Sequence, residues 1–168
     1  MKIGTDGVLL GAWTPIINNP YNILDIGAGT GILSLMLAQR SNAEQIDAIE
    51  IDEEAYEQCV ENFETSPWGD KLFCFHAGLD EFVDEPEDEY DLIISNPPFY
   101  AEDFKTDDSQ RDIARFQDAM PFEELIEAAG LLLSDNGIFS VIIPFKEEAK
   151  FVSMCVKNWI YSHSKLRE

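Results

Sequence analysis

The feature that most constrains the fold of this chain is a short apolar run that leads directly into three alternating glycines. The pattern predicts a buried strand over 22–26, and Gly27, Gly29 and Gly31 follow before a helical pattern begins. Glycines let a backbone turn tightly and approach a ligand without side chains in the way. A strand, a glycine loop and a helix in this order are typical of the ligand-binding end of a parallel α/β sheet.

The rest of the chain repeats this alternation. Apolar runs predict further strands at 45–51, 71–76, 90–95 and 138–143, and apolar residues at helical spacing predict helices at 31–40, 53–65, from Pro121 onward and at about 146–159. Strands separated by helices form parallel sheets with helices on both faces. The sequence therefore predicts a doubly wound, Rossmann-like α/β fold, with residues 1–168 in a single domain.

The composition is that of a globular chain with an unusual charge. The chain has 168 residues, of which 45% are hydrophobic, and a net charge of −22. It contains neither a membrane-spanning stretch nor a recognisable signal peptide, and its three cysteines and two histidines are too few and too scattered for a disulfide framework or a metal site. We expect a cytoplasmic protein without metal, whose acidic surface is solvated.

An acidic residue at the end of the second predicted strand completes a cofactor pattern. Glu50 lies nineteen residues after Gly31, where its carboxylate can accept hydrogen bonds from the ribose of an adenosine group. Both NAD and S-adenosylmethionine carry adenosine. Dinucleotide enzymes favour the spacing Gly-x-Gly-x-x-Gly, in which a helix amino terminus receives a pyrophosphate, whereas the glycines here alternate after Asp25. This spacing favours S-adenosylmethionine.

The tetrapeptide Asn96-Pro97-Pro98-Phe99 closes the fourth predicted strand, at the edge of the sheet where the glycine loop also lies. Two prolines can form a simple rigid turn, but these groups also suit methyl transfer to an exocyclic amine. The Asn96 side-chain oxygen and the Pro97 carbonyl would accept the two amine hydrogens and localise the nitrogen lone pair. The prolines would fix that geometry, and Phe99 would stack on a base swung out of its strand.

These segments together resemble the bacterial tRNA(Val) adenine-N6 methyltransferase family, which has the class I fold and uses S-adenosylmethionine. The resemblance covers most of the chain and includes residues 2–13, the glycine loop, residues 96–100 and the basic spacing of Arg111, Ala114 and Arg115. It implies methylation of the adenine immediately 3′ of a tRNA anticodon.

The resemblance also implies roles for single residues. Asp25 would help to hold the methionine ammonium group, and Thr5 and Asp6 would lie near the cofactor. Related enzymes often carry an aspartate that contacts adenine at the position of Gly78, and Asp80 is the candidate replacement. The loop over 101–120 would contact tRNA through its basic groups, Lys105, Arg111 and Arg115.

Several alternatives remain at this point. Guanine-N2 methyltransferases of rRNA share Asn-Pro-Pro-Phe and glutamine methyltransferases of release factors carry Asn-Pro-Pro-Tyr, but the opening segment and the basic loop favour tRNA adenine. A chain that binds S-adenosylmethionine without turnover and an NAD oxidoreductase are further alternatives. Because a complete class I sheet has two more strands after the fifth, and because Met1 falls inside the usual amino-terminal pattern of the family, we expect a chain truncated at both ends. The exposed edge of its fifth strand could then pair with a second copy in a homodimer.

Overall fold

A computed structural model describes residues 4–84, 89–98 and 120–158 of this chain. Five parallel strands form one sheet in the order β3-β2-β1-β4-β5: β1 (Asn22–Ile26), β2 (Gln45–Glu50), β3 (Leu72–His76), β4 (Tyr90–Ser95) and β5 (Leu133–Val141). The helices are α1 (Thr5–Trp13), α2 (Ile32–Arg40), α3 (Glu53–Glu64), α4 (Leu79–Asp84), α5 (Phe122–Leu132) and α6 (Glu148–Lys157), and a 3-10 turn (Phe145–Glu147) precedes α6. In the described ranges, none of these helices is long and apolar enough to cross a membrane.

The predicted doubly wound fold is confirmed, with differences at a few elements. Strands β1 and β4 have the predicted bounds, whereas α1 and α4 were not predicted. Strand β5 begins at Leu133 and not at Ile138, because the chain bulges between these two residues, which pair with Tyr90 and Leu92. Among the described strands β5 pairs only with β4, and the use of its free edge in a homodimer stays a prediction, as does truncation of the domain.

Two layers of helices cover the sheet because successive strand residues point to opposite faces. Ile23, Ile46 and Leu92 face α2 and α3, whose Leu37 and Cys59 pack on the same cluster. On the other face α4 and α5 cover a second cluster that includes Leu24, Ile49, Ile93, Leu125 and Ala129. Each large side chain buried in this way stabilises the fold by about 1.5–3 kcal/mol. Packing on both faces therefore stabilises the sheet that carries the glycine loop and the tetrapeptide.

The amino edge of the sheet is closed by Asp91. Its carboxylate accepts hydrogen bonds from the Tyr21 N–H (2.8 Å) and the Asn22 N–H (3.4 Å), and from the Ser134 hydroxyl (2.8 Å). Burial alone would raise the pKa of Asp91, but these hydrogen bonds hold it below its ordinary value. They tie β1, β4 and β5 together at this edge, opposite the carboxyl edge where the glycine loop lies.

Candidate functional site

The glycine loop lies at the carboxyl end of β1 in a backbone conformation that favours glycine. The φ angles of Gly27, Gly29 and Gly31 are 70°, 58° and 78°, in the left-handed region. Within the described part of the chain, no atom lies within 4 Å of a Cβ built on Gly27. At Gly27 the loop therefore presents backbone beside open space, and contact of the loop with a cofactor stays a prediction.

Gly31 serves a different purpose, the packing of α3. A Cβ at this position would lie 2.5 Å from the Phe63 ring and 2.7 Å from the Cys59 sulfur. The Asn62 side-chain amide donates to the Thr30 carbonyl (2.9 Å) and holds α3 against the loop. The structure thus explains Gly31 by helix packing, and its direct contact with a cofactor stays a prediction.

Asp25 is buried beneath the loop, where its carboxylate caps α2. The Ser34 N–H (3.1 Å) and the Ser34 hydroxyl (2.7 Å) both donate to Oδ2, at a helix start where Gly31 has no side chain to accept these bonds. Among the described residues, no group donates to the buried Oδ1. Desolvation raises the pKa of Asp25 to about 7 against the opposing effect of the Ser34 hydrogen bonds, and the charge of Glu50 adds to the increase.

Glu50 holds the glycine loop as well as facing the carboxyl edge. Its Oε2 accepts the Gly29 N–H at 2.7 Å and its Oε1 accepts the Asp52 N–H at 2.9 Å, and only 8% of the residue is exposed. A carboxylate has about four acceptor positions, so two positions stay available for hydroxyl groups of a ligand. The sequence predicted only a ribose-binding role for Glu50. The structure adds a second role, because the Glu50 carboxylate also fixes the glycine loop through the Gly29 N–H.

Ile51 was missed by sequence reasoning. This side chain is 71% exposed directly after Glu50, and it lies 3.7 Å from a Cβ built on Gly78. Asp80 Oδ1 lies 2.7 Å from the same point, so the Asp80 carboxylate occupies the space that a side chain at position 78 would take. The apolar run predicts Ile51 as the last residue of a buried strand, whereas β2 ends at Glu50 and Ile51 is exposed in the turn that follows.

The tetrapeptide begins beside the loop because β1 and β4 are neighbours. The Ser95 hydroxyl donates to the Ile26 carbonyl at 2.8 Å and ties the two strand ends together. Asn96 follows directly, and its Nδ2 lies 3.6 Å from a Cβ built on Gly7 of α1. Pro97 is buried and Pro98 is exposed.

The structure brings together three of the segments singled out in the sequence: the opening segment, which forms α1, the glycine loop and the start of the tetrapeptide. Thr5 and Asp6 are exposed in the first turn of α1, two residues or fewer before Gly7. Phe99, Lys105, Arg111 and Arg115 lie outside the described residues, and their roles stay predictions. A group of three or more His, Cys, Asp or Glu side chains suited to a metal ion is absent from the described ranges.

Comparison with known proteins is consistent with this geometry. The profile of the family described as "Methyltransferase small domain" matches residues 14–157. A tRNA1(Val) (adenine(37)-N6)-methyltransferase from Flavobacterium johnsoniae is 79% identical over 161 residues, which span 96% of this chain and 68% of the relative. A protein of the same name from Bacteroides fragilis is 43% identical over 167 residues, with coverages of 99% and 70%.

Solved methyltransferase structures share the fold of this chain. Ribosomal protein L11 methylase from Lactobacillus delbrueckii subsp. bulgaricus superposes with a TM-score of 0.60 at 19% identity, covering 91% of this chain and 66% of that one. At this identity the likeness concerns the fold alone.

Proposed function

Since this chain belongs to the tRNA1(Val) (adenine(37)-N6)-methyltransferase family, we propose that it transfers a methyl group from S-adenosylmethionine to the N6 amine of an adenine in the anticodon loop of tRNA. The observation that carries this proposal is the meeting of Asn96 and the glycine loop at one edge of the sheet, joined through the 2.8 Å hydrogen bond between Ser95 and Ile26. A methyl donor on the loop and an amine on Asn96 would be neighbours there.

The residues around the loop fit the chemical groups of S-adenosylmethionine. The Asp25 carboxylate, buried directly beneath the loop, would favour the methionine ammonium through its charge, and the open space at Gly27 suits a ligand that approaches backbone. The free acceptor positions of Glu50 suit ribose hydroxyls, the exposed Ile51 suits the apolar faces of adenine, and the Asp80 carboxylate suits the adenine amine. When bound, the cofactor supplies an electrophilic methyl group on a sulfonium.

Asn96 and Pro97 would act on the target amine. The Asn96 amide oxygen and the Pro97 carbonyl accept its two hydrogens, which turns the nitrogen lone pair out of conjugation with the ring. As the nitrogen gained the methyl group, the bond from that methyl to sulfur would break and leave neutral S-adenosylhomocysteine. The cationic nitrogen would then lose its proton to water, so no strong base is required first. Alignment and polar groups already in place provide most of the acceleration. Phe99 would stack on the base, and Lys105, Arg111 and Arg115 would contact tRNA phosphates.

The test is nucleoside mass spectrometry on unmodified tRNA and rRNA after incubation with the chain and S-adenosylmethionine. We expect N6-methyladenosine in tRNA with the wild type and with the control Asn136→Ala, whose side chain is exposed in the bulge of β5. Asn96→Ala should abolish the product while affinity for S-adenosylhomocysteine stays near that of the wild type. Equal loss of both would contradict the role of Asn96.

Other products would identify the rival functions. N2-methylguanosine in rRNA would identify the chain as a guanine-N2 methyltransferase. Methylated glutamine in a release factor would identify it as a protein glutamine methyltransferase. Cofactor binding without transfer to any of these substrates would indicate a chain that binds without turnover.

A further inference from the structure

The turn that follows β2 carries two of the groups proposed for adenosine. This turn, Glu50–Asp52, presents the Glu50 carboxylate and the exposed Ile51 side chain. Its ends are fixed from within, since Glu50 Oε1 accepts the Asp52 N–H at 2.9 Å and Asp52 Oδ1 accepts the Ala55 N–H at 2.9 Å, where α3 begins. Neither of these bonds involves the carbonyl oxygen of Ile51, the middle residue of the turn.

His76 holds that carbonyl from the neighbouring strand. Its Nε2 lies 3.0 Å from the Ile51 oxygen, and because a carbonyl oxygen only accepts, the ring nitrogen is the donor. His76 is the last residue of β3 and pairs in register with Glu50. The Tyr56 ring of α3 stacks on the imidazole, with 5.0 Å between centroids and 18° between planes.

We propose that His76 is a positioning residue for the adenosine end of the cofactor, and that Tyr56 keeps its ring in place. The hydrogen bond from His76 orients the Ile51 peptide, and through it the Ile51 side chain and the Glu50 carboxylate. This inference rests on the proposed function, since the groups that His76 orients are those assigned to adenine and ribose.

The exposure of the contact argues for a role in binding over one in folding. His76 is exposed and Ile51 is 71% exposed, so the bond between them adds little buried area. Exposed polar contacts of this kind add little to the free energy of unfolding. Their effect is on the direction of the groups next to them, and preorganised groups bind more tightly than groups that must be ordered on binding.

The test compares His76→Ala with His76→Gln, whose amide N–H can replace the donor. His76→Ala should raise the KM for S-adenosylmethionine about 3- to 10-fold and leave kcat unchanged, as expected for one lost hydrogen bond. The affinity for 5′-methylthioadenosine, which lacks the amino-acid end, should fall by the same factor. His76→Gln should recover most of the loss, and Phe73→Leu, on the same strand but away from the turn, should match the wild type.

Each contrary result has a distinct meaning. A His76→Ala variant with a lower kcat and an unchanged KM would show that His76 only supports folding, because unfolded enzyme lowers activity without changing affinity. If the wild type binds S-adenosylhomocysteine and His76→Ala binds it equally tightly, the role of His76 is refuted and the proposed function is unaffected. A wild type that binds neither nucleoside ligand would refute the proposed function, and the role of His76 with it.

Discussion

Replacing Asp25 by Asn should make the stability of the ligand-free chain much less dependent on pH. The fully buried carboxyl has its pKa raised from 3.8 to about 7, chiefly by desolvation, with the Ser34 hydrogen bonds opposing this increase. Between these pH values the unfolded chain releases the Asp25 proton while the folded chain keeps it. The folded state is therefore progressively destabilised as pH rises, and the effect is complete above pH 7. Each tenfold change in proton affinity is worth about 1.4 kcal/mol, so the full cost is about 4 kcal/mol.

Asn has nearly the same shape and avoids this charge. Its amide oxygen can accept both Ser34 hydrogen bonds, but its NH₂ group takes the place of Oδ1, for which the described residues offer no partner. At low pH the neutral Asp25 carboxyl also places an unsatisfied donor, its O–H, at this point, so the two proteins should have similar stability there. At pH 8 the variant avoids the cost of the buried charge and should be more stable by about 4 kcal/mol.

Urea denaturation at pH 5 and pH 8 measures this difference. Relative to the wild type, the variant should gain about 2–3 kcal/mol between the two pH values. Its affinity for S-adenosylmethionine should fall, because the methionine ammonium loses a carboxylate beneath the loop. Parallel stability curves for the two proteins would refute the reasoning, since they would mean that Asp25 is ionised in the fold at both pH values.

Four further variants separate folding, cofactor binding and RNA binding. Gly31→Ala should cost about 2–4 kcal/mol of folding stability, since the new methyl group meets α3 side chains in a left-handed backbone. Gly27→Ala should cost only about 1–2 kcal/mol and impair cofactor binding. Equal unfolding midpoints of the two variants in urea would refute this assignment. Glu50→Ala should weaken cofactor binding by about 1.5–3 kcal/mol in calorimetry, and unchanged affinity would remove its ribose role. Arg111→Ala with Arg115→Ala should lower tRNA affinity and flatten its salt dependence, and binding that ignores both would place the RNA surface elsewhere.

The positions of β1 and β4 followed from the sequence because these two strands are buried on both faces. The apolar runs at β1 and β4 have sharp ends, and the structure has the same bounds. Helix α1 escaped prediction because it lacks a polar face: Leu10 is buried, whereas Val8, Leu9 and Trp13 are partly exposed. A helix without this contrast has no periodic signal.

Within the site, the groups carried by a local motif were predictable and those that depend on register were not. The glycines and Asn96 lie in short recognisable segments. The contact of His76 with Ile51 depends on the pairing of β2 with β3, and the position of Asp80 over Gly78 depends on how α4 begins. Such information is spread over separate segments of the chain, and no single window of sequence contains it.

The strand order also affects the path by which the site is assembled during folding. The bond from Gly29 to Glu50 joins residues 21 apart, whereas the bond from Ser95 to Ile26 joins residues 69 apart. Closing the longer loop costs more entropy and is slower. The half-sheet β3-β2-β1, with the groups proposed for adenosine, can therefore form before β4 delivers Asn96.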